Sequence, residues 1–208
     1  MTLDNTRLAR QALDGLKQKI VSRRDIEAHL KKTINPISTF ALFRNLRVSK
    51  KILYVWKQYY YVRDAEEVEN DFNKMSSSEM IYIILNKLGI SWYLGLESAL
   101  AQNKVLWQAI NRNIIINSKF SGTFVILKQE FEFKKMRKDL FFGICELRVG
   151  QSTVWKYSNI EKTIIDFVYY KKKVPFDLFA KQNKQKLKRD LLRVPRFLRI
   201  RVESSGQN

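Results

Sequence analysis

The sequence is short of the residues that most often carry metal and nucleophilic chemistry. It holds one cysteine, Cys145, and one histidine, His29, in 208 residues. A lone cysteine excludes an internal disulfide and a thiolate cage for zinc, and a lone histidine leaves neither a zinc cluster nor a Ser-His-Asp relay. The seven glycines are scattered, with no phosphate-cradling loop among them. Long apolar runs are missing too: the longest stretch free of Asp, Glu, Lys and Arg is Thr33 to Phe43, too short to span a bilayer. The opening Met1 to Arg7 has no apolar core of the kind a secretory signal needs, so a cytoplasmic protein without membrane association is expected.

Acidic residues are the last shortage. There are 20 Asp+Glu against 39 Lys+Arg, a formal charge of +19 with a pI near 10.0. With 45% hydrophobic and 12% aromatic residues the chain can build a core, so the excess belongs to a folded protein facing a polyanion. Nucleic acid, an anionic membrane and an acidic protein all qualify.

The charge is unevenly placed. Residues 1–64 hold 14 bases and 5 acids, 65–170 hold 13 and 12, and 171–201 hold 12 and 2. The acidic stretch Asp64 to Asp71 and the serines Ser76 to Ser78 read as a junction. The expected division is a DNA-binding domain at 1–64, a linker at 65–78, and a second domain at 79–208 that ends in the basic tail 171–201.

In the first region Leu3, Leu8, Ala12, Leu13 and Leu16 form one helical stripe. Ser22 and Asp25 stand in capping positions with Val21 and Ile26 as a hydrophobic staple, so a second helix runs from Ser22 to Lys32. Asn35-Pro36 opens a third helix through Leu46 or Arg47. The runs Ile52 to Trp56 and Tyr59 to Val62, parted by Lys57-Gln58, form a hairpin. Three helices and a hairpin in this order match a winged helix-turn-helix, whose third helix enters the major groove. The basic residues lie where such docking needs them. Ser22, Arg23 and Arg24 begin the second helix; Ser38, Thr39, Arg44 and Arg47 lie on the third; Lys50, Lys51 and Lys57 lead into and tip the wing. A three-helix protein-docking module is the competing use of these faces. His29, beside Leu30, is expected to pack.

The middle region begins with a helix from Met80 to Leu88 ended by Gly89, then a helix from Ser91 to Asn103, with Asn103 as its left-handed end. Strands are expected at Asn113 to Asn117, Thr123 to Leu127, Glu130 to Lys134, Phe141 to Leu147 and Thr153 to Tyr157. A helix follows from Ser158, with Ser158 and Glu161 in capping-box spacing. This is an α+β domain with an antiparallel sheet. In the tail, a basic helix from Phe176 to Leu192 and an edge strand from Arg196 to Val202 are expected.

Trp92 to Leu100, the strand-rich stretch after it and Val154 to Phe167, with Glu161-Lys162-Thr163 and Asp166 as the most specific match, resemble the AbiEi family. That family comprises antitoxins and transcriptional regulators of type IV abortive-infection toxin–antitoxin pairs. The resemblance covers most of the chain. It implies a winged-helix domain that represses its own promoter and a C-terminal domain that neutralises a nucleotidyltransferase-like toxin. It also makes Tyr93, Glu161, Lys162, Thr163 and Asp166 candidates for partner binding, with capping and surface pairing as the alternative role of the last four and core packing as that of Tyr93. The chain departs from the family at Lys50-Lys51 and at Asn103, where relatives tend to carry glycine, and in its short Lys57-Gln58 wing.

Two other functions compete. One is a winged-helix regulator with no toxin partner. The other is a magnesium-dependent nuclease, suggested by the acid-x-lysine spacing of Glu132-Phe-Lys134 but lacking a second carboxylate on the preceding strands. The expectation is therefore a non-enzyme with no cofactor and no metal, whose partners are double-stranded DNA, its own promoter, and the toxin.

Overall fold

A computed structural model of the protein describes residues 3–33, 39–105, 112–149 and 153–206. It is an α+β protein that divides into two compact units, Met1–Lys87 and Leu88–Asn208.

The first unit opens with α1 (Leu3–Asp14), β1 (Ile20–Ser22) and α2 (Arg23–Thr33). Then come α3 (Thr39–Val48), β2 (Ile52–Trp56) and β3 (Tyr59–Val62). The three strands form one antiparallel sheet in the order β1-β3-β2. The sheet and helices close on a core of Leu13, Val21, Ile26, Leu30, Leu42, Phe43, Leu46, Ile52, Tyr60 and Val62. Ala9 and Leu13 carry the buried stripe of α1, whereas Leu8 is exposed, so the expected stripe is rotated by one residue. Ser22 Oγ accepts the amide of Asp25, which starts α2 as its sequence suggests. His29 packs between helices, its Nε2 at 3.0 Å from the Ala12 carbonyl. The start of the third helix at Asn35-Pro36, and Ser38 with it, lies outside the described residues.

The hairpin turn places Lys57 and Gln58 at φ 46° and 64°. Two consecutive left-handed residues make the turn that matches strand twist, and glycine or asparagine ordinarily fills it. Here two ordinary side chains carry the cost. Gln58→Gly is expected to raise the unfolding free energy by about 1 kcal/mol, because glycine lacks the Cβ that opposes this conformation. Urea denaturation checks this; an unchanged midpoint would refute the strain.

Residues 65–78 are not a linker. Asp64 caps the short α4 (Ala65–Glu69) in a full capping box with Glu67. Glu67 is wholly buried; it accepts the Tyr61 hydroxyl, the amides of Asp64 at 2.9 Å and Lys74 at 2.7 Å, and the Lys19 ammonium at 3.3 Å. Burial alone would raise its carboxyl pKa, but these donors together hold it below the ordinary value. Ser76 caps α5 (Ser77–Lys87), which packs on β1 and β2, so the first unit extends past the predicted boundary to Lys87. Acidic and serine-rich composition here encodes two helix caps, which look like linker in sequence because caps use the same residues.

The second unit is built on a six-stranded sheet. Its elements are β4 (Trp92–Leu94), α6 (Glu97–Gln102), β5 (Arg112–Asn117), β6 (Gly122–Ile126), β7 (Gln129–Lys135), β8 (Ile144–Val149), β9 (Thr153–Ser158) and α7 (Ile160–Tyr169). The strand order is β6-β7-β5-β4-β9-β8. The sheet is mixed, not antiparallel: β5 runs parallel to β7, and β4 parallel to β9. The predicted helix from Ser91 is instead the buried strand β4 followed by the shorter α6. Leu96, at φ 53°, turns the chain from β4 into α6, and a Cβ on the preceding Gly95 would meet Ile116 Cδ1 at 2.2 Å, so any side chain there would push the Ile116 side chain aside. Asn103 is not left-handed; Lys104 is, at φ 56°, while the Asn103 amide donates to the Ala99 and Ser158 carbonyls. Asn159, not Ser158, caps α7 by accepting the Lys162 amide at 2.9 Å.

The basic tail forms α8 (Phe176–Lys181), α9 (Lys184–Leu191) and α10 (Arg196–Ser205). Asn183 splits the single helix expected there by capping α9. The expected edge strand is also helical. Leu198 and Val202, four residues apart, are buried, whereas Phe197 and Ile200 are exposed. A spacing of four fits a strand face and a helix face alike, so the pattern alone misled. All three helices pack on α7, and Leu178, Leu187, Leu191, Val194, Leu198 and Val202 join its core.

Candidate nucleic-acid interface

The solvent face of α3 carries Phe40, Arg44, Arg47 and Val48, all exposed, while Leu42, Phe43 and Leu46 fill the core. The spacing of four, seven and eight residues from Phe40 puts the four on one side of the helix. Arg23, at the start of α2, adjoins them. Its guanidinium lies 5.2 Å from the Phe43 ring and bonds Glu27 Oε1 at 2.7 Å, an interaction that raises its pKa further. Together Arg23, Arg44 and Arg47, with Phe40, Phe43, Val48 and Tyr60, line a concavity of about 370 Å³.

The remaining predicted contacts are distributed as follows. Ser22 is half-buried by its capping role, and Arg24 is exposed beside Arg23. Lys50 is exposed and pairs with Asp71 at 2.6 Å; it sits at φ 54°, a left-handed position that suits glycine. Lys57 is exposed at the hairpin tip, its ammonium 4.8 Å from the Trp56 ring. Lys51 is a correction. It is buried, its ammonium pairs with Asp14 of α1, and it holds the helices to the sheet instead of facing solvent. Ser38 lies outside the described residues, as does the Thr39 side chain. The width of the apolar face leaves open in the sequence whether Thr39 or Phe40 points inward; Phe40 faces solvent, and Val48 joins it on this face at a spacing readable from Arg44 and Arg47.

The second predicted group, Tyr93, Glu161, Lys162, Thr163 and Asp166, comes together, but in the interior. Lys162 and Asp166 form an ion pair with no exposed side-chain surface. The Tyr93 hydroxyl donates to Asp166 Oδ1 at 3.1 Å, and the Lys162 ammonium lies 5.5 Å and 5.3 Å from the rings of Tyr93 and Phe142. Burial pushes the carboxyl of Asp166 up, with Lys162 opposing, and pushes the Tyr93 hydroxyl well up. Thr163 Oγ1 lies 2.8 Å from Ser158 Oγ and donates to the Asn159 carbonyl. Glu161 accepts the Asn183 amide at 3.0 Å and pairs with Lys186 at 3.2 Å, fastening α9 to α7. These residues join α7 to its neighbours; none presents a surface to a partner.

Glu132 and Lys134 neutralise one another on β7 at 2.6 Å. Among the described residues no three His, Cys, Asp or Glu side chains are grouped to hold a metal ion, and no helix is long and apolar enough to cross a membrane. No protein-family model and no curated protein matches the chain.

Proposed function

We propose that the first unit is a winged helix-turn-helix that binds double-stranded DNA at the protein's own promoter. In this reading α3 enters the major groove with Arg44 and Arg47 toward base edges. Arg23 and Arg24 meet phosphates at the start of α2, and Lys57 at the wing tip meets the adjacent backbone. The observation that carries it is the shared face of α3, on which two exposed arginines stand beside Arg23 with no acidic residue anywhere in the helix. The second unit, by its resemblance to AbiEi antitoxins, counteracts a nucleotidyltransferase-like toxin, and the protein as a whole is not an enzyme.

Gel shift tests the DNA half. The duplex upstream of the gene should be retarded in the presence of excess random DNA, and Arg23→Ala/Arg24→Ala should weaken the complex; equal affinity for random DNA would exclude autorepression. Rescue of growth in cells expressing a toxin encoded beside the gene tests the other half. A regulator without a toxin partner is the second reading. It is favoured by the burial of Tyr93, Lys162, Thr163 and Asp166, which removes the motif from any direct toxin contact.

A further inference from the structure

Phe40 is 71% exposed and Val48 76% exposed, at opposite ends of the same face that presents Arg44 and Arg47. Two large apolar side chains held in water on a helix rimmed by arginines call for a partner that is apolar at points and anionic around them. We infer that Phe40 and Val48 read thymine methyl groups in the major groove, an inference that rests on the DNA-binding reading above.

The chemistry of the groove favours this. The thymine C5-methyl is the apolar group that base pairs display there, whereas the guanine O6 and N7 acceptors suit arginine. The other polar side chain on this helix with a described position, Asn45, is half-buried and donates to Thr6 Oγ1 at 3.3 Å, so it is turned away from the groove. Specificity then falls to the two arginines and the two apolar residues. Phe40 and Val48 are eight positions apart, roughly 12 Å along the helix axis. That length spans about three to four base steps of 3.4 Å. The expected half-site therefore has thymines about that far apart, with guanine between them for Arg44 or Arg47.

The test uses the full chain and one upstream duplex amplified either with dTTP or with dUTP, which differ in the C5-methyl. Wild-type protein should bind the uracil duplex more weakly by about fourfold for each methyl contacted, the factor expected for one buried carbon. Phe40→Ala/Val48→Ala should bind both duplexes equally, near the wild-type affinity for uracil DNA. Arg24→Ala, by contrast, should weaken both in the same proportion. Equal wild-type affinity for the two duplexes overturns the inference while leaving DNA binding intact, as does a Phe40→Ala/Val48→Ala variant that still discriminates. Failure to bind either duplex overturns the DNA-binding reading itself.

Discussion

Replacing Lys162 by methionine should cost about 3–5 kcal/mol of folding free energy, because it strands a carboxylate in the interior. Asp166 has no exposed surface, and the hydroxyls of Tyr93 and Ser158 that also act on its carboxylate carry no charge. Asp166→Leu should cost a similar amount by stranding the ammonium. The double variant Lys162→Met/Asp166→Leu should recover most of the loss, since an apolar pair of similar volume removes both desolvation penalties at once. Chemical denaturation of the four proteins measures the coupling; additive losses would show that the two charges do not depend on each other. The pH dependence of Lys162→Met has a definite sign. Burial already raises the Asp166 pKa in the folded state, and loss of the cation raises it further. A folded-state pKa above the unfolded one means stability lost as pH rises through it, so this variant should regain stability on acidification from neutral pH.

Binding of the upstream duplex should fall by about a hundredfold between roughly 50 and 200 mM salt, a log-log slope near −3.6 for about four phosphate-facing cations. The four are Arg23, Arg24, Lys50 and Lys57, since Arg44 and Arg47 are directed at base edges. Lys51 is left out because its charge is buried against Asp14. Lys57→Ala should lower the slope by about 1 and weaken all sequences alike, whereas loss of an arginine that reads a base should cost about 1–3 kcal/mol at one position of the site. Lys51→Ala should instead lower stability and leave the slope unchanged. A slope near zero for the wild-type protein would remove electrostatic docking, and the DNA reading with it.

Local signals served the first unit well. The hairpin strands are where their aromatic and β-branched runs place them, and Ser22 starts α2 through a side-chain hydrogen bond that two residues suffice to encode. Such features depend on neighbours within a few positions. The errors have a common physical origin. Asp64, Glu67 and Ser76 compose a linker by polarity, yet Glu67 is buried because the Tyr61 hydroxyl and two backbone amides satisfy its carboxylate. Trp92 to Leu94 is apolar on both faces, so periodicity cannot separate a central strand from a helix. The parallel pairing of β4 with β9 joins residues some sixty positions apart, and no local pattern states it.

The sequence by itself determined the basic character of the protein, its separation into charged ends and a nearly neutral middle, the three helices and the hairpin of its start without the strand β1 between the first two helices, and the arginines of α2 and α3. Tertiary structure alone decided which of those charges face water. Lys51 and Lys50 are adjacent and chemically identical, but one closes a buried pair with Asp14 and the other lies on the surface. It also decided that Glu161, Lys162, Thr163 and Asp166 hold the second unit together from inside. Whether an ionisable side chain is a contact or a core element depends on partners brought to it from elsewhere in the chain, and desolvation makes burial possible only where those partners arrive.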